Sequence, residues 1–132
     1  MIETVLAEAR ARITRYTPTA AAAADVLLVD TRSTDERMRD GIIPGSVHVP
    51  RTVLEWRCDQ SSGFANPQLA DRTLVLVCAH GYSSSLAAVS LQELGVDAGD
   101  LDGGFEAWRA AGFPVVAAPP AAEAMPGMGG PQ

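Results

Sequence analysis

The chain contains no lysine, and its ten basic residues are all arginine. Together with the alanine-rich stretches, this reads as coding bias rather than as a functional device. Sixteen acidic residues leave a formal net charge of −6. A field of that sign repels nucleic acid and anionic membranes, so neither is expected as a partner. An anionic substrate must then be drawn in by a local feature. Cysteine is scarce, with only Cys58 and Cys78. That is too few for a disulfide scaffold or a structural zinc site. No metal and no cofactor is expected. No stretch approaches the roughly 18 apolar residues of a membrane span. Glu3 and Glu8 interrupt the start, so no secretory leader is read there. The expected location is the cytoplasm, where a free thiol is favoured over a Cys58–Cys78 bridge.

The composition is that of a globular protein, 47% hydrophobic and 20% charged, and 132 residues fit one domain. Helical spacing runs over residues 2–14, and Thr17-Pro18 can start a short helix through the alanines at 20–24. The apolar run 26–29, ending in Asp30, reads as a buried strand. A polar helix over 34–40 and a turn at Gly41 and Pro44-Gly45 follow. Residues 47–49 form a short strand stopped by Pro50, and a helix is expected over 51–56. Residues 59–71 read as loop. The run 74–77 is a second buried strand, and it ends in Cys78. A helix is expected over 84–94, with Leu86, Ala87, Val89, Leu91 and Leu94 on its apolar side. A short strand at 99–101 and a helix over 105–111 complete the pattern. Strands alternating with helices imply an α/β domain with a largely parallel central sheet and helices on both faces.

The segment L-V-L-V-C-A-H-G-Y-S-S-S, residues 74–85, carries the chemistry. It puts Cys78 at the carboxyl end of a buried strand, where open α/β sheets bind ligands. Gly81 lets the loop turn tightly, so that backbone N–H groups point inward. The following helix adds its own unpaired N–H groups. Such a cradle lowers a thiol's pKa and stabilises sulfur anions. Ser83, Ser84 and Ser85 can cap the helix and donate to the same anion. The competing reading of Cys78 is a small buried hydrophobe. A Walker-type nucleotide loop is excluded, because the Gly-Lys-Ser/Thr ending is absent.

Four segments together resemble a rhodanese domain. They are V-L-L-V-D-T-R (26–32), D-G-I-I-P-G-S-V-H-V-P (40–50), V-L-V-C-A-H-G-Y-S-S (75–84) and L-D-G-G-F-E-A-W-R-A-A-G-F-P-V (101–115). The resemblance implies a rhodanese-like domain over 17–116, after an N-terminal helix in 1–16 and before a disordered Ala/Pro/Gly tail over 117–132. It implies a sulfurtransferase with Cys78 as nucleophile, and Ala79, His80, Gly81, Tyr82, Ser83 and Ser84 as the substrate-binding loop. The donor would be a small sulfur anion such as thiosulfate. The acceptor would be cyanide or a thiol, a thioredoxin-like protein among the candidates. Two positions depart from the family pattern. Ser83 stands where many members carry a loop arginine, and Ile42 stands where a histidine is usual.

Alternative readings are a non-catalytic interaction module of the same fold, a dual-specificity phosphatase and arsenate reduction. The phosphatase would need an arginine where Ser84 stands. Arg51 and Arg57 could compensate for the missing loop arginine, but are read as solvated surface residues. His80 could act as a general base only with the right geometry. His48 is read as exposed or structural, Asp30 as bonding neighbouring backbone, and Arg32 as a salt-bridge partner. Phe105 and Trp108 are read as core, and Trp56 as core or pocket rim. Cys58 is read as incidental, or as a resolving thiol if it lies near Cys78.

Overall fold

Leu74, Val75, Leu76 and Val77 are all fully buried, as happens where a sheet is covered on both faces. In the computed structural model, which describes residues 1–119, this run is the middle strand of a five-stranded sheet. The strands are β1 (Arg15–Tyr16), β2 (Leu27–Asp30), β3 (Val47–His48), β4 (Leu74–Val77) and β5 (Ala98–Leu101). They lie in the order β1-β5-β4-β2-β3, and every pairing is parallel. The helices are α1 (Ile2–Arg12), α2 (Pro18–Ala23), α3 (Thr34–Asp40), α4 (Leu54–Cys58), α5 (Ser83–Glu93) and α6 (Gly104–Ala110).

Side-chain alternation along β4 builds two cores. Leu74 and Leu76 pack with Val29, Leu54, Ala87, Ala88 and Leu91, under α4 and α5. Val75 and Val77 face the other way, onto Ala21, Phe105 and Trp108 of α2 and α6. α1 lies against α5. This matches the expected α/β architecture with helices on both faces.

Several boundaries differ from expectation. α1 stops at Arg12, because Ile13 is extended. Arg15 and Tyr16 then form an edge strand that has no apolar run to announce it. Gly99 makes room for it, since a Cβ there would lie 2.3 Å from the Thr14 carbonyl oxygen. The helix expected over 51–56 begins as a tight turn, Arg51–Val53, and continues as α4. The loop 59–71 contains one further tight turn, Pro67–Leu69. Leu94 lies beyond α5 and is exposed, while Ala88 joins the core in its stead. Residues 117–119 have no regular structure, and the disorder expected of the rest of the tail concerns residues outside those described. Among the described residues, no helix is long and apolar enough to cross a membrane.

Buried charges organise the end of β2. The Asp30 carboxylate accepts from the Arg32 N–H, from the Arg32 guanidinium at 2.8 and 3.0 Å, and from Arg37 at 3.3 Å. Asp30 thus bonds backbone, as expected, and also anchors two buried guanidiniums. Arg32 also lies 3.8 Å over the Phe105 ring. His48 is structural: Arg37 Nη1 donates to its Nδ1 at 3.0 Å, and its Nε2–H donates to the Arg32 carbonyl at 2.8 Å. Only a neutral ring satisfies both bonds.

Burial pushes the His48 pKa down. The Arg32 carbonyl and Asp30 oppose this, the Arg37 and Arg32 charges add to it, and the net value lies below the ordinary one. The folded state therefore binds fewer protons than the unfolded chain in this range. The stabilisation is complete above an imidazole's ordinary value of about 6.5 and is lost as pH falls through the lower folded value. Urea midpoints measured from pH 7.5 down to 5 are expected to fall for the wild type and to fall less for His48→Gln. Equal pH slopes for the two proteins would contradict this assignment.

Candidate active site

Cys78 follows β4 directly, at the carboxyl end of the sheet, and the six residues after it arch back over its sulfur. Gly81 has φ +82°, and a Cβ there would lie 2.8 Å from the Gly103 nitrogen. The Gly81 N–H donates to Cys78 Sγ at 3.1 Å, and the Ser84 N–H donates at 3.4 Å. The sulfur also lies 3.2 Å from Ser84 Oγ. Ser84 is thus a backbone donor as well as a hydroxyl neighbour.

The loop is held from outside by α6. Its first N–H groups bond loop carbonyls, Phe105 to Cys78 at 2.8 Å and Glu106 to Ala79 at 3.1 Å. With those carbonyls turned outward, the loop N–H groups are free to face the sulfur. Gly104 makes this contact possible: it has φ +64°, and a Cβ there would lie 2.4 Å from the Cys78 carbonyl oxygen. Two arginines brace the opposite side. Arg10 and Arg15 both donate to the Gly81 carbonyl, at 2.8 and 2.9 Å.

Burial pushes the Cys78 thiol up. The hydroxyls of Ser84 and Ser83 and the N–H groups of Ser84 and Gly81 outweigh it, leaving the thiol below its ordinary value. Cys58 is the opposite case: burial, helped by Glu55, pushes its thiol up to about 12. Both cysteines are free. Cys58 borders a cavity of about 460 Å³ with Asp71, Thr73 and Val96, beside the amino ends of β4 and β5. The length of β4, about 13 Å at strand rise, lies between that end and Cys78. The geometry therefore does not support a resolving role for Cys58.

A second pocket, of about 250 Å³, opens over Cys78. Its walls include Ala79, His80, Tyr82 and Ser83 of the loop, with Thr31, Arg32 and Glu36 opposite. Of the expected loop residues, Gly81 and Ser84 are buried beneath it, and His80, Tyr82 and Ser83 are exposed. Three expectations need correction. None of the serines caps α5, because Tyr82 is its N-cap and no side chain caps it. Ser85 does not reach the sulfur; its hydroxyl donates to Asp100 at 2.8 Å. Arg57 is not solvated: it is buried, and it donates to the Phe64 carbonyl at 2.9 Å, pinning the 59–66 loop. Arg51 does stay at the surface, paired with Glu55 at 2.9 Å. Neither arginine borders the Cys78 pocket. Trp56 is 45% exposed and belongs to neither core.

Sequence reading missed Arg10, Arg15, Asp100 and Gly104. Arg15 and Asp100 come from distant segments and meet through the β1–β5 pairing, and Arg10 reaches the loop from α1, which lies against α5. Gly104 immediately precedes the expected helix over 105–111, and nothing in the sequence marks it as the clamp on the loop.

The rhodanese-like domain family model matches residues 16–111. The thiosulfate sulfurtransferase GlpE of Pseudomonas savastanoi pv. phaseolicola is 38% identical over 85 residues, which is 64% of this chain and 73% of the relative. Among solved structures, a Rhodopseudomonas palustris protein of unknown function, described as a possible tyrosine phosphatase, is 39% identical. It superposes with a TM-score of 0.81, covering 88% of this chain and 94% of that one. A rhodanese-related protein of Thermoplasma volcanium is 25% identical with a TM-score of 0.64, covering 78% and 98%. The family match runs from the edge strand through the cysteine loop to the helix that clamps it, and on that basis the chain belongs to the rhodanese-like domain family.

Proposed function

We propose that the chain is a sulfurtransferase that carries a sulfane sulfur on Cys78. The observation that carries this reading is the sulfur's setting: N–H donors at 3.1 and 3.4 Å, a hydroxyl at 3.2 Å, and a thiol held below its ordinary value. A buried thiol with no catalytic task resembles Cys58 instead, pushed up by burial. The sulfurtransferase names of curated relatives support the same reading.

In the first half-reaction the Cys78 thiolate attacks the outer sulfur of thiosulfate. The S–S bond of the donor breaks, and sulfite leaves with the electron pair. The Gly81 and Ser84 N–H groups then hold the inner sulfur of the persulfide, and its charged outer sulfur extends into the pocket above Cys78. In the second half-reaction cyanide or an acceptor thiolate attacks the terminal sulfur, and the Cys78 thiolate departs. His80 is exposed at the pocket wall and is available to an incoming acceptor.

The phosphatase description of one structural relative does not transfer well. A loop that holds a phosphoryl group needs a guanidinium at residue 84. Ser84 is buried there, and its hydroxyl donates to the Asp100 carboxylate at 2.8 Å.

Steady-state thiocyanate formation from thiosulfate and cyanide tests the proposal. Parallel double-reciprocal lines are expected, as a covalent intermediate requires. Intersecting lines, or turnover that survives in Cys78→Ser, would argue against a Cys78 persulfide.

A further inference from the structure

Beneath the loop lies a buried carboxylate that the proposed chemistry does not use. Asp100, on β5, is fully buried. It accepts from the Ser84 and Ser85 hydroxyls, each at 2.8 Å, and from Arg15 at 2.9 and 3.2 Å. Arg15 also bonds Asp102 at 3.0 Å and the Gly81 carbonyl at 2.9 Å. A continuous path therefore runs from Cys78 Sγ through Ser84 Oγ to Asp100 and on to Arg15.

We propose that the Arg15–Asp100 ion pair governs the reactivity of Cys78 through the Ser84 hydroxyl, the two residues acting as positioning residues of opposite effect. The inference rests on the reading of Cys78 as the reactive thiol.

Ser84 Oγ has one proton to give. In the thiol form Cys78 donates to Ser84 Oγ, and Ser84 donates to Asp100. When the thiol loses its proton to water in the pocket, the Ser84 hydroxyl turns from Asp100 to the sulfur. Asp100 keeps its bonds from Ser85 and Arg15, so it can release that hydroxyl. Its negative charge, one hydroxyl away, would by itself oppose a thiolate. Arg15 cancels it. The charge that Ser83 does not supply from within the loop is thus supplied from β1.

The other charged groups near the sulfur have hydrogen-bond or ion-pair partners of their own. On the α1 side, Arg10 bonds the Gly81 carbonyl and Ser85. At the pocket wall, Glu36 accepts from Ser33, and Arg32 is paired with Asp30. His80 and Tyr82 stand exposed in the loop. Arg10 and Arg15 against Asp100 and Asp102 make a near-neutral set, and removing one member unbalances it.

The test is the pH dependence of iodoacetamide alkylation, in a Cys58→Ala background so that one thiol reacts. Arg15→Gln is expected to move the midpoint up by roughly one pH unit, which slows alkylation below the midpoint about tenfold. Asp100→Asn is expected to move it down, and the double variant to return it towards the wild type. Arg15→Lys keeps the charge and stays close to the wild type. Merely structural residues would not give opposite signs that cancel. Shifts of the same sign in both folded single variants, or no shift in either, would overturn the proposal. Should a buried variant not fold, Asp102→Asn tests the same balance from the exposed end of Arg15. There the midpoint is expected to fall, and a midpoint that stays or rises overturns the inference. Thiosulfate loading of the same samples separates the two readings. Shifted midpoints without sulfur uptake reject the sulfurtransferase alone, and uptake with unmoved midpoints rejects the ion-pair role alone.

Discussion

Replacing Gly104 with alanine is expected to lower thiocyanate formation by at least about a hundredfold while leaving the fold in place. The added Cβ would lie 2.4 Å from the Cys78 carbonyl oxygen and 2.7 Å from the Gly81 nitrogen. Both are backbone atoms, so no side chain can swing aside to relieve the overlap. The φ of +64° adds strain for any residue with a Cβ. Either α6 retreats or the loop moves, and in both cases the Gly81 N–H leaves the sulfur. A displacement of about 1 Å at a reacting centre costs on the order of a hundredfold in rate. Circular dichroism and thiocyanate assays on Gly104→Ala check this. Normal turnover by a folded variant would mean that the clamp does not matter.

A second large effect is expected at a distance from the sulfur. Asp30→Ala leaves Arg32 and Arg37 without their shared carboxylate, in a region where all three residues are buried. Removing one partner of a buried ion pair costs about 3–5 kcal/mol, since the remaining charge is neither solvated nor paired. Here two guanidiniums are orphaned at once. That cost is a large share of the roughly 5–15 kcal/mol that holds a typical domain folded. Urea unfolding is expected to show the loss directly. Asp30→Asn, which keeps hydrogen-bond acceptance but not the charge, should fall in between. A loss below about 1 kcal/mol in Asp30→Ala would show that water or a shift of Arg32 replaces the carboxylate.

Both predictions fall on residues that the sequence marked only in part. The buried strands were legible because β2 and β4 are continuous apolar runs, a pattern produced by a parallel sheet covered on both faces. Cys78 stood out as a candidate because it ends one of those runs before a glycine-containing loop. The edge strand β1 was not legible. Two residues, Arg15 and Tyr16, carry no periodicity, and their strand character comes from pairing with β5. The charge network under the loop was hidden for the same reason. Arg15 and Asp100 are far apart in the chain and become neighbours only through that register. Arg57 was misread because a lone arginine at the end of a short helix is most often solvated. Its burial follows from the 59–66 loop folding back over α4 and offering it the Phe64 carbonyl. The serines were read as caps from their position before a helix. Inside the fold, a buried carboxylate outcompetes the helix end for the Ser84 and Ser85 hydroxyls.

Intact mass after incubation with thiosulfate shows whether sulfur is carried covalently on Cys78. The wild type is expected to gain the mass of one sulfur atom, to lose it on addition of cyanide, and to show neither change as Cys78→Ser. A Cys78→Ser protein that gains the same cyanide-labile sulfur, or a wild type that gains none from thiosulfate or any other sulfane donor, would rule out sulfur transfer through Cys78.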